Sequence, residues 1–172
     1  MITTVAAFQD YFEGVWRRTV DFFRTIPDDR IDWAPLAGEY TCGDIIRHVA
    51  ACERMFVGAA LDGRWRYAGH DRAHGATLAA ALAHLDACHA DAAAALRRAG
   101  DVELHAPRPS LDEAARPVKA WRLLMAMVEH EVHHRSQLAS YLTWMGVEAP
   151  DIFGLGVEDV ERLTAATPGR NA

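Results

Sequence analysis

Apolar residues recur at steps of three and four along most of the chain, and four stretches keep that spacing long enough to predict long amphipathic helices. In the first, residues 4–26, Val5, Phe8, Phe12, Val15, Phe22 and Ile26 share one face, with Gln9, Asp10, Glu13, Arg17, Arg18 and Asp21 on the others. Pro27 ends it, because proline lacks an amide hydrogen and restricts the residue before it. The connector 27–40, broken by Pro35 and Gly38, is too polar to be helical throughout, and its Trp33 is expected to pack against the end of the core. Thr41-Cys42-Gly43-Asp44 resembles a capping box with aspartate in the reciprocal position. It opens a second helix, running to about residue 61, whose inward stripe is Ile45, His48, Val49, Cys52, Phe56 and Ala59.

The segment 62–75, rich in glycine, arginine and aromatic residues, reads as a loop in which His70 and His74 are solvated. A third helix is predicted over 76–99, with Leu78, Leu82, Leu85, Ala92 and Leu96 inward and Gly100 as its C-terminal cap. His89 falls on that stripe and is read as a core or interface residue, with ligation as the rival role. Residues 101–116 are irregular, interrupted by Pro107 and Pro109, with a short turn at Ser110-Leu111-Asp112-Glu113. Pro117 suits the first turn of the fourth and longest helix, 117–145, which ends at Gly146. A short amphipathic stretch, 158–165, precedes a frayed end. No stretch alternates like a strand and no linker divides the chain. Residues 1–172 are therefore expected to form one all-α domain, a four-helix bundle with long connectors and a short C-terminal helix.

Composition narrows the function. A net charge of −6 argues against a nucleic-acid surface, which would show clustered Lys and Arg. Three cysteines, Cys42, Cys52 and Cys88, without CxxC spacing suit free thiols in a reducing compartment. With neither a signal-peptide pattern nor an apolar run of membrane-spanning length, a cytoplasmic protein that touches no membrane is expected.

The candidate chemistry lies in Glu129-His130-Glu131-Val132-His133-His134-Arg135. His130 and His134 sit one helical turn apart on the inward stripe with Leu123 or Leu124, Met127, Leu138, Tyr141 and Met145. A buried imidazole needs a partner for each ring nitrogen, and a shared metal ion answers both residues at once. The plainer alternative is a pair of core histidines bonded to carbonyls and water. His48, inward on the second helix, offers a third ligand if the two helices are neighbours. The same letters also spell H-E-x-x-H, the zinc-protease pattern in which Glu131 would be the base, but the chain is short, all helical and would leave His48 unexplained. Cys52 is open to a role as a fourth ligand or as a small core residue, and Asp44 to orienting His48 or capping its helix. Gln137 and Tyr141 are open to lining the pocket or packing. His133 points away from the pair, and Arg135 suits an interhelical salt bridge.

Three runs carry a resemblance. Trp33-x-Pro35, then Thr41-x-x-Asp44-Ile45-Ile46-Arg47-His48-Val49-Ala50-x-x-Glu53, and later His130-Glu131-x-His133-His134-Arg135-x-Gln137-Leu138-x-x-Tyr141-Leu142-x-x-x-Gly146 resemble the DinB-like superfamily over nearly the whole chain. The resemblance implies an up-down-down-up bundle, often a homodimer, that binds zinc or nickel through His48, His130 and His134. Ser136 stands where many members have glycine. Characterised relatives resemble transferases and isomerases that activate a low-molecular-weight thiol, such as bacillithiol or mycothiol, for a small-molecule substrate. A metal-dependent thiol S-transferase is thus the first expectation. Metal-dependent hydrolysis comes second, and a non-catalytic stress-response binding module third. No catalytic side chain beyond the metal ligands follows from the sequence.

Overall fold

The computed structural model describes residues 2–112 and 114–165, with five helices: α1 (Val5–Arg24), α2 (Cys42–Asp62), α3 (Leu78–Arg97), α4 (Ala120–Trp144) and α5 (Val157–Ala165). Short side chains start the first three. The Thr4 hydroxyl accepts from Ala7 N at 3.1 Å and the Thr77 hydroxyl from Ala80 N at 3.2 Å. At α2 the capping box is reciprocal: Thr41 Oγ1 accepts from Asp44 N, and Asp44 Oδ2 accepts from Thr41 N, both at 3.0 Å. Capping is thus the job of Asp44, which also pairs with Arg47 at 2.8 Å.

Two apolar clusters fix the helix directions. In one, Phe22 and Phe23 from the end of α1, with Ile26 just beyond it, meet Ile45, Ile46 and Val49 from the start of α2, Leu78 and Leu85 from the start of α3, and Leu138 and Leu142 from the end of α4. In the other, Phe8 and Phe12 meet Val57 and Ala60, Ala92 and Leu96, and Leu123, Leu124 and Met127. So α1 and α4 run together, α2 and α3 run the other way, and the order is up-down-down-up. Around the bundle, α2 lies between α3 and α4, and α1 closes the ring. Every apolar residue named on the predicted stripe of the first helix is buried, and Trp33 packs edge-on against Tyr141, ring centroids 5.4 Å apart.

Because α2 and α3 are parallel, residues 63–77 must return along the bundle. A helix of 21 residues is about 32 Å long, well within reach of fifteen extended residues. Arg47, buried on α2, pins this crossover: its guanidinium donates to the carbonyls of His70 (2.9 Å) and Gly75 (2.6 Å). Gly75 has φ +145°, and a Cβ there would stand 2.6 Å from the backbone of Ala81. Gly75→Ala is expected to destabilise the protein by about 2–3 kcal/mol, measured by urea unfolding.

Three local expectations need correction. Pro117 does not open α4: Pro107–Pro109 (β1) and Pro117–Lys119 (β2) pair antiparallel, with Arg108 opposite Val118, and the helix begins at Ala120. Strands of three residues are too short for alternation to show. Gly100 is not a left-handed cap. Its φ is −83° and it leads into a 3-10 turn at Asp101–His105, while α3 closes through Arg98 N donating to Ala95 O. Arg135 forms no salt bridge among the described residues. It is fully buried and donates to the Val15 carbonyl on α1 at 3.2 Å. Gly146, left-handed at φ +73°, does follow the end of α4 as expected. The expected turn at 110–113 falls partly, and the frayed end wholly, outside the described residues. No helix among the described residues is long and apolar enough to cross a membrane.

Candidate metal centre

The adjacency of α2 and α4 brings the histidines of the two helices together. His130 Nε2 lies 3.0 Å from His48 Nε2 and 3.1 Å from His134 Nε2. Cys52, one turn beyond His48, places Sγ 3.6 Å from His48 Nε2, and His48, Cys52 and His130 offer donor atoms all within 4.8 Å of one another. They form a group that could hold a metal ion.

The hydrogen bonds around His134 decide where its proton sits. Tyr141 Oη donates to the Tyr40 carbonyl (3.1 Å), which can only accept. Gln137 Nε2 therefore donates to Tyr141 Oη (3.2 Å), and Gln137 Oε1 faces His134 Nδ1 at 2.9 Å. His134 must then donate from Nδ1, and its Nε2 presents a lone pair to His130. The single hydrogen that neutral His130 can carry on Nε2 serves one neighbour, so one of the two close N···N contacts always lacks a proton of its own. Extra protons do not repair this. Burial, reinforced by the neighbouring imidazoles, pushes His48 down to about 4 and His130 down to about 3, and burial lowers His134 too. At neutral pH these are uncharged imidazoles, the form of histidine that a divalent cation needs as a ligand. The two separations from His130 Nε2 are also close to the roughly 3.3 Å between nitrogens on a tetrahedral ion with bonds of about 2.0–2.1 Å.

Burial raises the Cys52 thiol to about 12, so it stays protonated without a cation beside it. A hollow of about 370 Å³ opens next to the group, lined by His48, Cys52, Met55, Trp65, Tyr67 and Leu111.

Other residues resolve differently. Glu131 faces α1 and accepts from the Thr19 hydroxyl at 2.8 Å. It is buried, and burial pushes its carboxyl up to about 8. A protonated group enclosed on that side cannot serve as the base the protease pattern requires. His89 is a core residue, not a ligand of this group: its Nδ1 meets Glu53 at 2.8 Å, its Nε2 meets Glu13 at 3.0 Å, and it stacks on Trp16. His133 is exposed. His74 stacks on His84 in the expected loop, but His70 is not simply solvated. Its Nδ1 lies 2.6 Å from Tyr67 Oη, which is itself 2.7 Å from His48 Nδ1. Sequence reasoning missed Tyr67 and His70 at the site, since loop residues carry no periodicity, and gave Arg47 of α2 no role because its partners lie on that loop. The available signal was a histidine among aromatics in a connector that parallel helices force to run along the bundle.

A helical bundle that gathers imidazoles and a thiol from two facing helices defines the class, that of bundle proteins with a potential metal site. The chain belongs to the DinB superfamily, whose sequence pattern it matches over residues 11–138. No curated protein matches it in sequence. Among solved structures it is similar to a DinB-like protein from Bacillus cereus, with a TM-score of 0.72 at 17% identity over 88% of this chain and 99% of that one. It is also similar to a DinB-like protein from Bacillus subtilis, with a TM-score of 0.66 at 18% identity over 84% and 96%.

Proposed function

We propose that the protein binds a divalent metal ion, zinc or nickel, through His48, His130 and His134, and activates a low-molecular-weight thiol there for transfer to an apolar electrophile. The observation that carries the metal reading is the convergence of three imidazole nitrogens, one with its lone pair fixed inward by the chain from Gln137 to the Tyr40 carbonyl. Bound there, the ion would supply Lewis acidity, lowering the pKa of a thiol or water molecule beside it. Neutral histidines would hold the ion without cancelling its charge. Met55, Trp65 and Leu111 give the adjoining hollow an apolar wall, which suits an apolar electrophile. Among the described residues no carboxylate lines this hollow, which supports thiol chemistry over base-assisted hydrolysis.

Metal analysis of protein from metal-supplemented cells, with His48→Ala beside wild type, tests the first half. Wild type is expected to retain about one equivalent and the variant far less. A screen of electrophiles with several low-molecular-weight thiols, and of esters and amides without them, tests the second. Turnover should require both thiol and metal and stop on chelation. Ester or amide cleavage without thiol would move the assignment to a hydrolase.

A further inference from the structure

We infer that Tyr67, backed by His70 on the crossover loop, is a positioning residue that holds His48 in the tautomer able to bind metal; this rests on the three-histidine reading above. Tyr67 Oη lies within hydrogen-bond distance of two imidazole nitrogens, His48 Nδ1 at 2.7 Å and His70 Nδ1 at 2.6 Å. A phenol has one hydrogen, so it donates to one ring and accepts from the other. If Tyr67 donated to His48, neutral His48 would carry its hydrogen on Nε2, aimed at His130 Nε2, with no lone pair for a metal. If His48 donates to Tyr67, the phenol hydrogen passes to His70 Nδ1, and His48 Nε2 is free.

Metal ligation selects the second arrangement: with its Nε2 lone pair given to the ion, neutral His48 carries its hydrogen on Nδ1, Tyr67 Oη accepts it, and half-buried His70 takes the phenol hydrogen at Nδ1 while water meets its Nε2–H. Its place is fixed from both sides: buried Arg47 donates to its carbonyl, and the Tyr40 ring packs on its imidazole with centroids 4.7 Å apart. Tyr67 thus finds a stationary acceptor. The Tyr67–His70 pair does for His48 what Gln137 and Tyr141 do for His134. One relay comes from the crossover loop and the other from α4. Tyr67 is 44% exposed and fills no part of the core, so its hydroxyl is dispensable for folding.

The test compares wild type with Tyr67→Phe, His70→Leu and His70→Gln by titrating Zn²⁺ and Co²⁺ against a chromophoric chelator, with melting of the metal-free proteins alongside. Outer partners of ligating histidines typically contribute about 10–100-fold in metal affinity. Tyr67→Phe is expected to weaken binding by about that factor and to change the visible Co²⁺ spectrum, while metal-free melting stays put. His70→Leu should weaken binding less, and His70→Gln, whose amide oxygen can accept the phenol hydrogen, should restore it. If wild type binds metal and Tyr67→Phe binds within twofold with the same spectrum, this inference alone is overturned. If wild type takes up no metal, the three-histidine reading falls and carries the inference with it.

Discussion

A His130→Ala chain is expected to lose metal binding by more than the roughly 100-fold that an outer partner contributes. His130 Nε2 is the atom that both other imidazoles approach, so its removal takes away the nitrogen that links His48 to His134. The cleanest readout is thermal. A ligand that binds only the folded state at 100 times its Kd adds about 2.7 kcal/mol of stability. Wild type should therefore melt higher when zinc or nickel is added, and His130→Ala should not. Equal metal-induced shifts in the two proteins would show that the ion binds elsewhere.

The second large effect concerns folding. His89 bridges two carboxylates, buried Glu53 from α2 and exposed Glu13 from α1, and these partners raise its pKa to about 9 against the opposing effect of burial. Removing one member of a buried ion pair strands the other. His89→Leu is expected to cost about 3–5 kcal/mol in urea unfolding at neutral pH, and Glu53→Gln added to it should recover a substantial part. The pH dependence has a definite sign. The folded pKa lies above the unfolded value near 6.5, so the contribution of His89 is fully present below pH 6.5 and is lost as pH rises through about 9. The stability gap between wild type and the His89→Leu, Glu53→Gln double variant should narrow over that interval. A gap that widened would place the proton elsewhere.

The two histidine sites differ in how far they could be read from the chain. His48, His130 and His134 were legible because two share a helical face one turn apart and the third sits on another apolar stripe, so burial predicted convergence. His89 occupied an equivalent place on its own stripe, and periodicity could not tell a ligand from a salt-bridged core residue. That distinction depends on which residues face it, and Glu53 and Glu13 come from helices 36 and 76 positions away along the chain. Glu131 is similar: its letter fits the protease pattern, but its angle on α4 turns it to Thr19.

By itself the sequence determined four amphipathic helices, their caps at Thr41 and Gly146, and the inward placement of the three histidines, because each depends on spacing within one segment. Tertiary structure decided what depends on several segments at once. It placed α2 beside α4, so that His48 Nε2 comes within 3.0 Å of His130 Nε2, 82 positions away along the chain. It paired two three-residue strands ahead of α4, and it laid the crossover loop over His48. Proton placement belongs to that second group: Tyr141 is oriented by a carbonyl 101 residues away, and a tautomer follows from the whole chain of donors, which no local pattern encodes.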